Sequence, residues 1–353
     1  MSSDQMTTGD GANRVSGRHG VDLDWLAKTR EDALDPDLKI VDPHHHLWDH
    51  ANHRYLIEDL LLDTNDGHNI VATVFVECAA MYRAGASKAM APVGETEFVN
   101  GISAMSASGQ YGDTRICAGI VGHADLLLGE AVDEVLGAHV AAGGGRFRGI
   151  RHSASWDESD QIHNSHSNPP KDLYAVPEFR AGFARLAAHG LSFEAWQYHP
   201  QLPLVADLAR AFPDTTIILN HVGGPLGIGP YAGRRSEVFA VWQQSIVEIA
   251  QCPNVVVKLG GLGMKICGFD FHKQAAPPTS QQLADAWRPY IDHCIGAFGP
   301  ERAMFESNFP VDKASCGYGL LWNALKRLAA GASASEKAAL FHDTAARVYR
   351  LET

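Results

Sequence analysis

The chain has 353 residues, 45% of them hydrophobic and 20% charged, which is enough apolar material for a large core and excludes a disordered chain. Its net charge of −12, with no polybasic block, repels phosphate backbones and anionic bilayers, so neither nucleic acid nor a membrane surface is an expected partner. No apolar run approaches the roughly 18 residues of a membrane span, and the opening MSSDQMTTGDGANRVSG lacks the basic and apolar regions of a secretory leader; a cytoplasmic protein acting on a small molecule is expected, with homo-oligomerisation left open.

Residues 1–39 read as an arm. It is polar and Gly/Ser/Asp-rich at first, then carries one amphipathic stretch, VDLDWLAKTREDALD, which ends before Pro36 and docks through Trp25 and Leu26. From residue 40, short β-type runs alternate with longer helical patterns. The β-type runs are KIVDPH, NIVATVFVEC, RICAGIVGH, RFRGIRHS, LSFEAWQYH, TTIILNHVGG, NVVVKLGG and RAMFESNF. Between them, stretches such as EAVDEVLGAHVAAG, LPLVADLARAFPD and SEVFAVWQQSIVEIAQC space apolar residues by three to four, and several stop at Gly or just before Pro. Eight alternations predict a parallel sheet closed into a (β/α)8 TIM barrel over residues 40–353, because each parallel pair needs a crossover. A doubly wound open sheet is the competing fold, but the phosphate loop G-x-G-x-x-G that it wants after an early strand is absent. The connections at 79–95, 154–175 and 261–279 exceed the usual βα length. All follow strands, which in a barrel places them at the C-terminal mouth, where they can cover a substrate.

The cysteines are scattered without a C-x-x-C pair and are expected to be reduced thiols. The 18 histidines, in an acidic chain, direct attention to metal binding or proton transfer. Asp42-Pro43-His44-His45-His46 ends the first strand. Side chains alternate along a strand, so His44 and His46 face one side and can reach one ion. A run of surface histidines is the competing reading, disfavoured by the apolar approach KIV. His199 closes the fifth run and His221 the sixth; singly, each could be structural. Taken together, the imidazoles of His44, His46, His199 and His221 suggest one metal-ligating constellation at the ends of three strands.

The pattern D-x-H-x-H-L-W at strand one, H-P-Q-L after strand five, N-H-V-G-G-P at strand six and F-E-S-N-F-P-V at strand eight resembles the amidohydrolase superfamily, in its amidohydrolase-2 branch, over nearly the whole chain from residue 38. The Trp after H-x-H and the H-P-Q-L segment resemble the lactonase-like members, hydrolases of sugar lactones and dicarboxylate lactones, more than the decarboxylases. The resemblance implies one active centre, usually built around a divalent ion, zinc being the expected one, although some lactonases of this type work without it. Strand eight departs from the family. Where S-D-W-P or S-D-Y-P is usual, this chain has Ser307-Asn308-Phe309-Pro310, and an amide cannot take up the proton that the family's Asp accepts. Glu306, two residues deeper on the same strand face, and Asp312, after the turn, are the candidate substitutes; otherwise Glu306 needs an ion-pair partner such as Lys258.

On strand four the branch commonly uses Arg to hold a carboxylate or carbonyl, which makes Arg151 the candidate at the mouth, with Arg148 and His152 beside it. Glu77 ends strand two and Lys258 strand seven; they either contact substrate or neutralise each other. Trp48, Trp156 and Trp196 read as packing rather than recognition. The implied reaction opens a cyclic ester, less readily an amide, of a small polar or aromatic-derived substrate. A divalent ion, or protonated histidines in its place, would polarise the carbonyl; His221 would orient water or carbonyl, Asn308 would donate to the oxyanion, and Glu306 or Asp312 would accept the proton. The alternatives are a metal-dependent non-oxidative decarboxylase of an aromatic acid and a catalytically silent ligand-binding barrel, against which the four histidines argue.

Overall fold

A computed structural model describes residues 21–50 and 53–352. Eight parallel strands form one sheet in sequential order: β1 Lys39–His45, β2 Asn69–Val76, β3 Arg115–Gly122, β4 Phe147–Arg151, β5 Ser192–Ala195, β6 Ile217–Leu219, β7 Val255–Leu259 and β8 Ala303–Phe305. Helices Ile57–Thr64, Val93–Ala107, Val132–Ala142, Pro177–Phe183, Leu202–Ala211, Arg235–Ala250, Ser280–Phe298 and Tyr318–Leu328 follow the strands in turn. The seam between β8 and β1 closes just past the β8 strand, where Asn308 N–H donates to His44 O at 2.9 Å and His46 N–H donates to Phe309 O at 2.8 Å. The architecture is the (β/α)8 barrel. Among the described residues no helix is long and apolar enough to cross a membrane.

Two apolar layers follow from strand alternation. Val41, Ala72, Val74, Val76, Val121, Ile218, Val256 and Met304 fill the barrel interior, which Ala345 and Tyr349 of the C-terminal segment close at the bottom. Ile40, Phe75, Ile120, Phe193, Ile217, Val257 and Phe305 face the helices instead. A register shift between Asp42 and His45 interrupts the alternation of β1. It re-aims the strand end as bulges do: Asp42 accepts from Ser307 and the Tyr318 hydroxyl, His45 bonds Thr73 Oγ1 at 2.9 Å, and His44 and His46 are left for the mouth.

Among its described residues the arm is helical for one turn only, Leu23–Leu26, capped by Asp22. Beyond it the polar groups bond outward, to the barrel, rather than along a helix. Trp25 Nε1–H donates to Gln274 O at 2.8 Å, the Thr29 hydroxyl to Pro277 O at 2.8 Å and Ser280 N–H to Glu31 at 2.9 Å, so this segment fastens the end of the connection after β7. Residues 1–20 of the arm lie outside the described residues.

Candidate active site

A cavity of about 600 Å³ opens at the C-terminal end of the strands. All three long connections reach it, through Ala79, through His163 to His166, and through Met264 to Ile266. His46, Glu77, Arg151, His221 and Asn308 come from the strand ends, and Trp48 and Trp196 form part of the wall. The Trp196 indole stands edge-on to His221, with ring centroids 4.8 Å apart. These two tryptophans therefore line the mouth rather than only packing, whereas Trp156 lies beneath Lys171, 5.5 Å from its ring.

Glu306 is the hub beneath the histidines. Fully buried, it accepts at Oε1 from the His221 ring (Nδ1, 2.7 Å) and from the His221 backbone N–H (3.1 Å), and its Oε2 lies 2.9 Å from His44 Nδ1. The rings of His44 and His221 are 4.5 Å apart, and those of His44 and His46 5.0 Å. His46 Nδ1–H donates to Val76 O at 2.7 Å, which leaves Nε2 with the lone pair. His221 has a positive φ of 52°, and Gly261 makes room for it: a Cβ added at Gly261 would stand 2.5 Å from the His221 Cβ and Cγ.

The charges at this centre are paired differently from the sequence expectation. Lys258 pairs with Glu194 at 2.9 Å, not with Glu77 or Glu306, and also approaches His44 Nδ1 to 3.1 Å. Glu194 is further held by Tyr349 and Asn220. Glu77 belongs to Arg151, whose Nε donates to Oε1 at 2.6 Å while Nη1 faces His44 Nε2 at 3.4 Å. Burial raises the carboxyl of Glu77, but Arg151, His166 and His123 outweigh it and hold the group down at about 2. Burial keeps His44, His46 and His221 well below the ordinary histidine range, reinforced by Arg151 at all three and by Lys258 at His44 and His221. This direction favours neutral rings over the protonated histidines that the sequence offered as a stand-in for the ion.

Glu306 and Asp312 do not reach the cavity wall. Burial pushes both carboxyls up to about 8. Asp312 accepts from Asn308 Nδ2 at 2.8 Å and from Gly263 N–H at 2.8 Å, so it holds the Asn308 amide that lines the cavity. Asn308 itself takes a left-handed φ of 55°, a conformation asparagine tolerates better than most residues.

Three other candidates lie elsewhere. His199 is four residues beyond the end of β5 and has turned away; its Nδ1 accepts the Leu226 N–H at 3.3 Å, its ring packs on Tyr231, and burial lowers its pKa to about 4. Arg148 is near the opposite end of β4 and donates to Gly145 O at 2.7 Å and to Tyr349 O. His152, one residue past β4, accepts the Leu126 N–H at 3.2 Å and packs edge-on to His123. Sequence reasoning passed over Glu194, His123 and His166. A lone Glu in the apolar run LSFEAW, the His that ends RICAGIVGH and the second His of QIHNSHSN were the available signals.

A divalent ion fits the central group by one observation. The donor atoms of His44, His221 and Glu306 lie within 4.8 Å of one another, and buried Glu306 Oε2 receives no hydrogen bond even from His44 Nδ1, 2.9 Å away, because that nitrogen accepts from Lys258. Two imidazoles and a carboxylate are a donor set of the zinc type.

Comparison with known proteins agrees with this architecture. An uncharacterized protein of Sinorhizobium fredii is 35% identical over 337 residues, covering 89% of this chain and 99% of its own. The L-fucono-1,5-lactonase of Burkholderia multivorans is 28% identical over 240 residues, 68% of this chain and 73% of the lactonase. A crystal structure of an amidohydrolase from Burkholderia multivorans with bound zinc superimposes with a TM-score of 0.68 at 24% identity, covering 89% of this chain and 99% of that one, which shows the shared fold. The family model described as amidohydrolase matches residues 41–351, and the chain belongs to that amidohydrolase family.

Proposed function

We propose that the protein hydrolyses a cyclic ester of a small polar substrate. The observation that carries this reading is the pair His221–Glu306 at the cavity floor: Nδ1 is engaged at 2.7 Å by a buried carboxyl oxygen, which leaves Nε2 as the nitrogen available to the cavity. A neutral imidazole oriented in this way can take a proton from water as it attacks a carbonyl carbon. The proton at Nε2 then passes to the ring oxygen as the ester C–O bond breaks, and the products are one carboxylate and one hydroxyl. Asn308, held through its amide by Asp312, presents its remaining amide valences to the carbonyl oxygen or to the water. Arg151 is fixed by Glu77 and offers the rest of its guanidinium to an anionic or carbonyl group of the substrate. Trp48 and Trp196 supply flat walls for a ring.

Alternatively, His44, His221 and Glu306 would hold a divalent ion, zinc by donor type; His221 would then serve as a ligand rather than as the base, and the bound ion would polarise the carbonyl and lower the pKa of water. The bound zinc of the Burkholderia structure and the activity of the fuconolactonase support the same reading. The test is a panel of sugar lactones, pyrone-type lactones and aromatic acids, followed by acid release and by carbon dioxide evolution. Acid production without gas is expected from one lactone class. Carbon dioxide from an aromatic acid, with no lactone turned over, would replace this reading with a decarboxylase.

A further inference from the structure

A second set of ligand-type side chains meets at the rim of the same cavity, apart from His44, His221 and Glu306. Glu77 follows β2, His123 follows β3, and His166 stands in the long connection after β4; one donor atom of each lies within 4.8 Å of the other two. Glu77 is fully buried. Its Oε1 is engaged by Arg151, but its Oε2 has no hydrogen-bond partner. His166 Nε2 stands 3.6 Å from that oxygen. This is too long for a hydrogen bond, yet near the ~3.3 Å that separates two ligands on one tetrahedral zinc ion with bonds of ~2.0–2.1 Å. His123 Nδ1 is 3.0 Å from the Arg151 carbonyl and donates to it, which fixes the tautomer and leaves Nε2 with a lone pair. The His166 side chain is 31% exposed, so an ion has a path in.

We propose that Glu77, His123 and His166 form a second divalent-cation site, which ties the 154–175 connection to the ends of β2 and β3. Two imidazoles and one carboxylate select a zinc-class ion over magnesium or calcium, which prefer oxygen ligands. Arg151 does not prevent binding, because it engages the other oxygen of Glu77 and a carboxylate can serve both partners. The site depends neither on an ion at the central group nor on the lactonase reading. Its consequence is mechanical: a bound ion fastens the loop that carries His163 to His166 over the mouth.

The test uses the untagged full-length protein, stripped with chelator, dialysed against zinc and analysed for metal content beside His166→Asn and His44→Ala. The unmodified protein is expected to hold two ions per chain and each variant one. Zinc should also slow hydrogen exchange across residues 160–170 in the unmodified protein and in His44→Ala, but not in His166→Asn. His166 is on a partly exposed loop, so circular dichroism should find the His166→Asn fold intact. One ion per chain, lost in His44→Ala and kept in His166→Asn, overturns this site and leaves the central one. One ion lost in His166→Asn and kept in His44→Ala supports this site and removes the central one. No bound ion, or exchange unaffected by zinc, overturns it outright.

Discussion

Glu306 meets the cavity only through other side chains, which separates two roles that proximity in sequence would merge. It accepts from His221 and faces His44, so its removal releases the rings without altering the wall that a substrate touches. Glu306→Gln is therefore expected to lower kcat on the selected lactone by ~10²–10⁴ with little change in KM, the size of a general-base contribution. Steady-state kinetics measure it; unchanged kcat would remove Glu306 from the mechanism. Arg151 and Glu77 make the opposite case, since both line the cavity and are also each other's partner. Arg151→Met strands a buried carboxylate and should lower the unfolding free energy in urea by ~3–5 kcal/mol. Adding Glu77→Gln should recover much of that loss. If the double variant is no more stable than the single one, the pair is not what holds this side of the mouth.

Among the elements, the connection after β7 depends for its position on a segment far away in the chain. Met264 to Ile266 line the cavity, and the far end of the same connection is fastened by Trp25, Thr29 and Glu31 of the arm. Trp25→Ala removes an indole N–H bond and a ring from that junction. Hydrogen exchange over 264–279 should then quicken while the strands keep their protection, because the loop opens locally before the barrel does. Protection unchanged over 264–279 would show that the connection holds itself, for example through the Arg235 guanidinium, which bonds Cys267 O and Gly268 O.

For the whole molecule, buried titratable groups set opposite slopes on the two sides of neutrality. Burial pushes Asp42 up to about 6 and Asp312 and Glu306 to about 8. An acid whose folded pKa exceeds its unfolded value binds its proton more tightly when folded; its stabilisation is complete below the unfolded value and is lost as pH rises through the folded one. The buried His44, His46 and His221, with His45, His68, His139 and His199, which burial lowers to about 3–4, act in reverse and outnumber the raised acids, because the unfolded chain gains protons on them below about 6.5. Stability should therefore be greatest near pH 6 and fall toward both 4.5 and 8. Urea midpoints across that range check this, and Asp312→Asn should flatten the alkaline limb. A midpoint constant from pH 6.5 to 8.5 would contradict the burial of these acids.

The amino-acid sequence by itself determined the elements and the family. Eight β-type runs between helical periods specify a barrel because both periods are local, and the H-x-H pair at the end of the first run and His221 at the end of the sixth are carried with them. What local periodicity cannot reach is contact across the barrel. Arg151 finds Glu77 at a sequence separation of 74 residues, and Lys258 finds Glu194, only after the strands have staggered and closed. His199 left the centre because β5 stops at Ala195, so alternation no longer governed where its ring points. The bulge of β1 decided that Asp42 bonds Ser307 and Tyr318 while His44 enters the mouth. Pairing of buried charge is settled by whichever partner closure brings within reach, and closure is a property of the whole barrel rather than of any segment.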